Sequence, residues 1–119
     1  MKFLWTTLMV NDMDASLRFY QEIVGLPVNR RFSASDGSQY AFLGKGETQL
    51  ELIKSVSGTI PSYGTEISIG FEEHYLSEKI RFVRDRGLAV DGPYSPNPNV
   101  SFFFIKDPNG IRVQFVEQK

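Results

Sequence analysis

The chain has 119 residues and a net charge of −1, from 13 basic and 14 acidic side chains. A chain of this length buries roughly two-thirds of the surface that its unfolded form exposes, so it needs no covalent staples to fold. The balanced charge provides no field to recruit nucleic acid or a membrane surface, and the absence of cysteine excludes disulfides, thiolate nucleophiles and cysteine zinc sites.

The first half of the chain predicts a strand, a helix and three further strands. Residues 2–10 are apolar but lack the ending of a signal sequence and the about 20 apolar residues of a membrane span, so we interpret them as a strand of a cytoplasmic protein. Apolar residues between Met13 and Val24 share one helical face. Asn11 or Asp12 can cap this helix, and Gly25 can end it. The three strands are expected near 27–33, 39–44 and 47–54.

The same order of elements restarts after residues 55–64, a segment rich in serine, glycine and proline that we interpret as a linker. The second half predicts a strand over 65–72, a helix that ends at Gly87, a strand near 88–92, a loop over 92–99, and strands near 100–106 and 111–117. Both halves therefore have the order βαβββ. We predict one α+β domain with a first module at 1–54 and a second at 65–119; a ferredoxin-like βαββαβ alternative leaves two strands unused.

Four stretches carry a resemblance to a known family: VNDMDASLRFYQEIVGLPV, LELI, EISIGFE and DPNGIRVQFVE. In order and spacing they resemble the vicinal oxygen chelate superfamily, which contains glyoxalase I, extradiol dioxygenases, and fosfomycin- and bleomycin-resistance proteins. The resemblance implies a curled, cup-like mixed sheet with helices outside, a small organic ligand in the cup, and a homodimer. It is specific for the fold, but the superfamily hosts several unrelated chemistries and some pure binders.

The resemblance also implies which positions would bind a metal ion in the metal-dependent members. These positions are Thr6, Glu51, Glu66 and Gln114. Similar glyoxalases usually have His or Gln, then Glu, His and Glu, so only Glu51 matches. The remaining oxygen ligands suit Mg²⁺ or Mn²⁺ if a metal binds at all; we assign no cofactor and keep a divalent metal ion as the alternative. The single histidine, His74, is expected to be exposed at the start of the second helix.

Strand parity predicts which side chains share a face. If the apolar faces pack on the helices, then Glu51, Glu66, Arg112 and Gln114 lie on the opposite faces of their strands. Those faces line the cup, or else they are the wet outer face of an amphipathic sheet. The run FFF at 102–104 must place at least one ring there, and we assign Phe103 and Arg112 to ligand binding together with the four family positions.

Two functions of different classes are consistent with this pattern. The first is a protein that binds a small organic molecule without turning it over, which the missing histidines favour. The alternative is a glyoxalase I-like lyase in which Glu51 and Glu66 are catalytic, because neighbouring carboxylates raise one pKa and can create a general base. A third hypothesis is a degenerate subunit whose sheet only mediates assembly. A nucleophilic triad and a phosphate-binding loop are not supported.

Overall fold

In the computed structural model, residues 1–58 and 61–119 are described. The chain divides into two compact units, Met1–Ser62 and Tyr63–Lys119, here called the first and second modules. Each contains one helix and a four-stranded mixed sheet, so the predicted α+β fold with two βαβββ modules is confirmed. The predicted linker at 55–64 includes residues 59 and 60, which lie outside the described residues.

The first module follows the predicted order of elements. These are β1 (Trp5–Met9), α1 (Met13–Arg18) with a π-helical continuation (Phe19–Val24), β2 (Val28–Ser33), β3 (Gln39–Leu43) and β4 (Gln49–Lys54). The sheet order is β1-β4-β3-β2. The β1–β4 pair is parallel and the others are antiparallel. Helix α1 packs against β4, which leaves the other face of the sheet to the polar side chains of that strand.

Capping defines both ends of the first helical segment. The Asp12 carboxylate accepts a hydrogen bond of 3.0 Å from the Ala15 backbone N–H, satisfying one of the unpaired donors at the helix start. Gly25 ends the segment in the left-handed conformation, with φ of 92°. Between the caps, Leu17 and Tyr20 are buried. Each fully buried side chain of this size contributes about 1.5–3 kcal/mol, so packing stabilises a segment too short to persist alone.

The second module repeats the pattern with a longer, regular helix. Its elements are β5 (Ser68–Glu72), α2 (Leu76–Asp85), β6 (Asp91–Asn97), β7 (Val100–Lys106) and β8 (Arg112–Gln118). The sheet order is β5-β8-β7-β6, with β5–β8 parallel. Helix α2 packs on β7 and β8 through Leu76, Ile80 and Val83, the three residues whose spacing predicts its apolar face. No helix within residues 1–58 and 61–119 is long and apolar enough to cross a membrane.

Strand β6 corrects the loop predicted at 92–99. Three prolines and two asparagines give this segment the composition of a turn. It is nevertheless the edge strand of its sheet, where proline is tolerated because one side of the strand donates no ladder hydrogen bonds. Its pairing with β7 is interrupted between Asp91 and Tyr94, and Gly92 between them has a φ of 124°. The interruption changes the regular alternation of side chains along β6.

Tyr63, at the start of the second module, has a raised pKa that a titration can test. Burial, and to a lesser extent the negative charge of Asp107, raises the pKa of its phenol from 10.0 to about 12. We expect a late tyrosinate phase in an ultraviolet absorbance titration, which Tyr63→Phe diminishes and which Tyr75→Phe, at an exposed tyrosine, leaves in place. Because the unfolded chain loses this proton near pH 10, the tyrosine lowers the stability of the fold as the pH rises from 10 towards 12. A titration unchanged by Tyr63→Phe would contradict this assignment.

Candidate functional site

The face of the first sheet opposite α1 collects a carboxylate, a hydroxyl and several rings. Parallel pairing sets Thr7 directly beside Glu51, and the Thr7 hydroxyl donates a hydrogen bond of 2.5 Å to the Glu51 carboxylate. Glu51 is only 9% exposed. A buried carboxylate costs free energy unless it is hydrogen-bonded, so this contact stabilises its position on the sheet. We call the surface formed by Trp5, Thr7, Arg30, Phe32, Phe42 and Glu51 the Glu51 face.

Aromatic side chains share the Glu51 face with the carboxylate. Antiparallel pairing places Phe42 beside Glu51 on β3, and the Trp5 ring meets Phe42 edge-on at 5.3 Å between centroids. The Arg30 guanidinium lies 4.7 Å from the centre of the Phe42 ring. Trp5 and Phe32 remain 45% and 41% exposed. The face therefore offers flat apolar surface, a cation and a carboxylate close together, which suits a ring-bearing organic molecule with polar groups.

The corresponding face of the second sheet is built around an arginine. The Arg112 guanidinium lies 3.9 Å from the centre of the Phe104 ring, and its Nη2 is 3.9 Å from the nearer carboxylate oxygen of Asp91. The Tyr94 hydroxyl donates a hydrogen bond to the other Asp91 oxygen, and this bond raises the pKa of Tyr94. With Phe102 and Gln114, which lie on the same side of the sheet, these residues form what we call the Arg112 face.

The structure separates the predicted site residues into three groups. Glu51, Arg112 and Gln114 lie on the faces opposite the helices, as parity predicts. Gln114 sits over Gly70, where a β-carbon would come within 3.2 Å of its side-chain oxygen. Glu66 precedes β5 and is exposed; its carboxylate accepts a long hydrogen bond of 3.4 Å from the Thr65 hydroxyl.

Thr6 and Phe103 lie on the helix-facing sides of their strands, which corrects their placement. Thr6 pairs with Leu50, so its neighbour Thr7 takes the position beside Glu51. Phe103 is 0% exposed and packs 5.2 Å from the Phe115 ring. Within the FFF run, Phe102 and Phe104 occupy the positions on the face opposite the helix. A one-residue difference in register moves a side chain to the other face of a strand, and apolar runs give no alternation to define that register.

Sequence reasoning did not assign Arg30, Thr7, Asp91 or Tyr94 to a site. Arg30 and Phe32 are two residues apart on β2. Side chains at this spacing lie on the same face of a strand, so the sequence contained a signal for Arg30. Asp91 and Tyr94 had none, because three residues apart on a regular strand they would lie on opposite faces; the irregular pairing around Gly92 brings them together. His74 is exposed as predicted, with Nε2 3.3 Å from a carboxylate oxygen of Glu72.

Comparison with known proteins decides the family. Residues 2–115 match the model of the Glyoxalase/Bleomycin resistance protein/Dioxygenase superfamily. The chain belongs to this superfamily. It is 31% identical to a lactoylglutathione lyase of Haemophilus influenzae over 131 aligned positions, covering 100% of this chain and 94% of that one.

Solved structures of this superfamily share the fold of the chain. A trypanothione-dependent glyoxalase I of Leishmania major superimposes with a TM-score of 0.82 and 25% identity, over 98% of this chain and 86% of that one. TnmS3, an antibiotic binding protein from Streptomyces sp. CB03234, superimposes with a TM-score of 0.80 and 19% identity, over 100% of this chain and 97% of that one. One of these two proteins is named as an enzyme and the other as a binding protein. The fold alone therefore does not distinguish catalysis from binding.

Each module contributes two of the four family metal positions, and the four side chains together offer only oxygen donors. Over the residues that the structure describes, neither module brings together three His, Cys, Asp or Glu side chains that could hold a metal ion. Glu51 has a hydroxyl and aromatic rings as its neighbours on the sheet. Gln114 lies between Gly70 and Phe104. Borderline metals such as zinc and nickel favour imidazole or thiolate ligands, and neither face supplies them.

Proposed function

We propose that the chain binds a small organic molecule with a flat, ring-bearing part, without turnover and without a resident metal ion. The observation that carries the proposal is the Glu51 face, where one hydrogen-bonded carboxylate lies beside Phe42 and the Phe42 ring contacts Trp5 and Arg30. Exposed rings contribute binding area at low entropic cost, and a few fixed polar groups orient the ligand. Within the same proposal the protein is a cytoplasmic homodimer, and light scattering of the purified protein measures its oligomeric state.

Superfamily membership supports this proposal at the level of the fold. TnmS3 has the same architecture and is named as an antibiotic binding protein. The chain retains the scaffold and the aromatic faces, but it has Glu66 and Gln114 where similar glyoxalases have histidine and glutamate. This combination supports ligand binding over metal-assisted catalysis. The proposed ligand interacts through ring contacts and through the charges of Arg30 and Glu51.

A glyoxalase I-like lyase is the second candidate function, favoured by one specific observation. The chain shares 31% identity with the Haemophilus influenzae lactoylglutathione lyase and keeps a glutamate, Glu51, in a buried position on the sheet. A carboxylate in that position could accept a proton from a carbon next to a carbonyl group, provided the substrate came within hydrogen-bond reach. Thr7, which donates to Glu51, would then position the base.

The substitution Glu51→Gln separates the two functions. For the binding protein we expect compounds from a library of aromatic small molecules to raise the melting temperature of the wild type. Glu51→Gln should weaken their binding about tenfold or more, because a hydrogen bond to a charged group contributes about 1.5–3 kcal/mol. Glu47→Gln, at an exposed glutamate just before the same strand, is the matched control and should bind as the wild type does.

Metal content and turnover complete this test. Elemental analysis of protein purified without a histidine tag should find no stoichiometric divalent transition metal, since a tag would supply imidazoles that the chain lacks. Incubation with the hemithioacetal of glutathione should give no product. A stoichiometric metal together with turnover that Glu51→Gln abolishes would establish the lyase instead. A library without any binding compound would also end the binding proposal.

A further inference from the structure

Two surface cavities of the second module share one wall. Their volumes are about 360 and 510 Å³, within the range of roughly 300–1,000 Å³ that small-molecule sites occupy. Asp91, Phe104 and Arg112 line both. Lys106 lines the smaller cavity, and Tyr94 and Phe102 line the larger one. We call the pair the Arg112 cavity.

The charges that line the Arg112 cavity favour an anion. Two cations, Arg112 and Lys106, face one carboxylate, Asp91, which leaves one positive charge in excess. Arg112 is 37% exposed, and its contact with Asp91 is 3.9 Å, longer than the 2.7–2.9 Å typical of a charge-assisted hydrogen bond. An exposed ion pair of that length contributes little. The guanidinium is therefore positioned by its ring contact with Phe104 more than by its carboxylate neighbour.

Asp91 is less available to a ligand than Arg112 is. One of its oxygens accepts the hydrogen bond from Tyr94, and the other faces Arg112. A cationic ligand would compete with both neighbours for this carboxylate. An anionic ligand would instead replace a long contact with a short, bidentate one, because a planar guanidinium matches the two oxygens of a carboxylate.

The rings of the cavity define the rest of the ligand. Phe102 lies 5.6 Å from Phe104 and 5.7 Å from Tyr94 between ring centroids, so three rings follow one another along the larger cavity. A flat aromatic group finds edges and faces to pack against on that wall. Aromatic contact and guanidinium pairing are available to a single molecule, since Phe104 borders both.

We infer that the Arg112 cavity takes a planar aromatic anion, whose carboxylate pairs with Arg112 while its ring packs on Phe104 and Phe102. This inference goes beyond the proposed function, because it assigns a second site, in the second module, with its own ligand class. Asp91 acts as the competing anion: it holds Arg112 in the absence of ligand and lowers the affinity for any ligand of the same sign.

Three probes of one shape test the inference: 2-naphthoate, 2-naphthylmethanol and 2-naphthylmethylamine. Calorimetry and amide chemical shifts of the wild type should show naphthoate binding at least tenfold more tightly than the alcohol, with shifts in β6, β7 and β8. Arg112→Gln should remove this tenfold advantage, so that naphthoate and the alcohol bind with similar affinity. Asp91→Asn should tighten naphthoate binding several-fold. Arg84→Gln, on an exposed helix position outside the cavity, should have no effect.

The outcomes distinguish this inference from the proposed function. If the alcohol or the amine binds as tightly as naphthoate, or if Arg112→Gln leaves the preference intact, the anion inference is overturned while binding itself stands. If none of the three probes binds, the inference is likewise overturned, and the library screen with Glu51→Gln decides the proposed function separately. Circular dichroism of each variant checks that it remains folded.

Discussion

Replacing Phe103 with alanine is expected to lower the free energy of unfolding by about 3–5 kcal/mol, the usual cost of removing a buried phenylalanine. Phe103 is 0% exposed and packs against Phe115, its partner across the β7–β8 pair. The cavity left behind would lie in the middle of the second module's core, where neighbouring side chains relax only partly. Urea denaturation monitored by tryptophan fluorescence and circular dichroism measures the change in midpoint and slope.

Phe102→Ala is the matched control, since it removes the same ring from the next residue of the same strand. Phe102 is half-buried and faces away from α2, so its loss should cost about 1–2 kcal/mol, chiefly from contacts with Tyr94 and Phe104. Phe102→Ala should instead weaken naphthoate binding. Equal destabilisation by the two substitutions would show that the two rings do not lie on opposite faces of the sheet.

Gly92→Ala is expected to destabilise the second module by about 2–5 kcal/mol, through backbone strain and crowding together. The φ of Gly92 is 124°, and an added β-carbon would lie 3.2 Å from the Phe102 carbonyl oxygen and 3.2 Å from the Phe103 β-carbon. Neither atom can move without disturbing the β6–β7 pair. Because Gly92 stands where the pairing of β6 shifts, the substitution should also displace Asp91 and Tyr94 and weaken naphthoate binding.

Gly87→Ala provides the comparison for this backbone effect. Gly87 also has a positive φ, 78°, but apart from its two chain neighbours no atom among the described residues lies within 4 Å of the position an added β-carbon would take. Its substitution should cost only about 1 kcal/mol, the penalty for a left-handed L-residue. Thermal unfolding monitored by circular dichroism measures the loss of stability in both variants. A smaller loss for Gly92→Ala than for Gly87→Ala would contradict the crowding argument.

Local patterns in the sequence determined the elements and their order. The spacing of Leu76, Ile80 and Val83 predicts the buried face of α2, because a helix repeats every 3.6 residues whatever surrounds it. Gly25 and Asp12 mark the ends of the first helical segment through backbone conformation and capping. Alternation in β4 places Glu51 opposite the two leucines that pack on the helix. These features depend on residues near one another in the chain, and the resemblance to the superfamily rests on them.

Only the tertiary structure decided which residues share a surface when no alternation defines the register. Strand β1 is apolar along most of its length, so its pairing with β4 alone sets Thr7, in place of Thr6, beside Glu51. In the FFF run, pairing with β8 assigns Phe103 to the core. The irregular pairing of β6 brings Asp91 and Tyr94 to the same arginine. Register follows from hydrogen bonds between strands distant in the chain, and these contacts leave no periodic trace in the sequence.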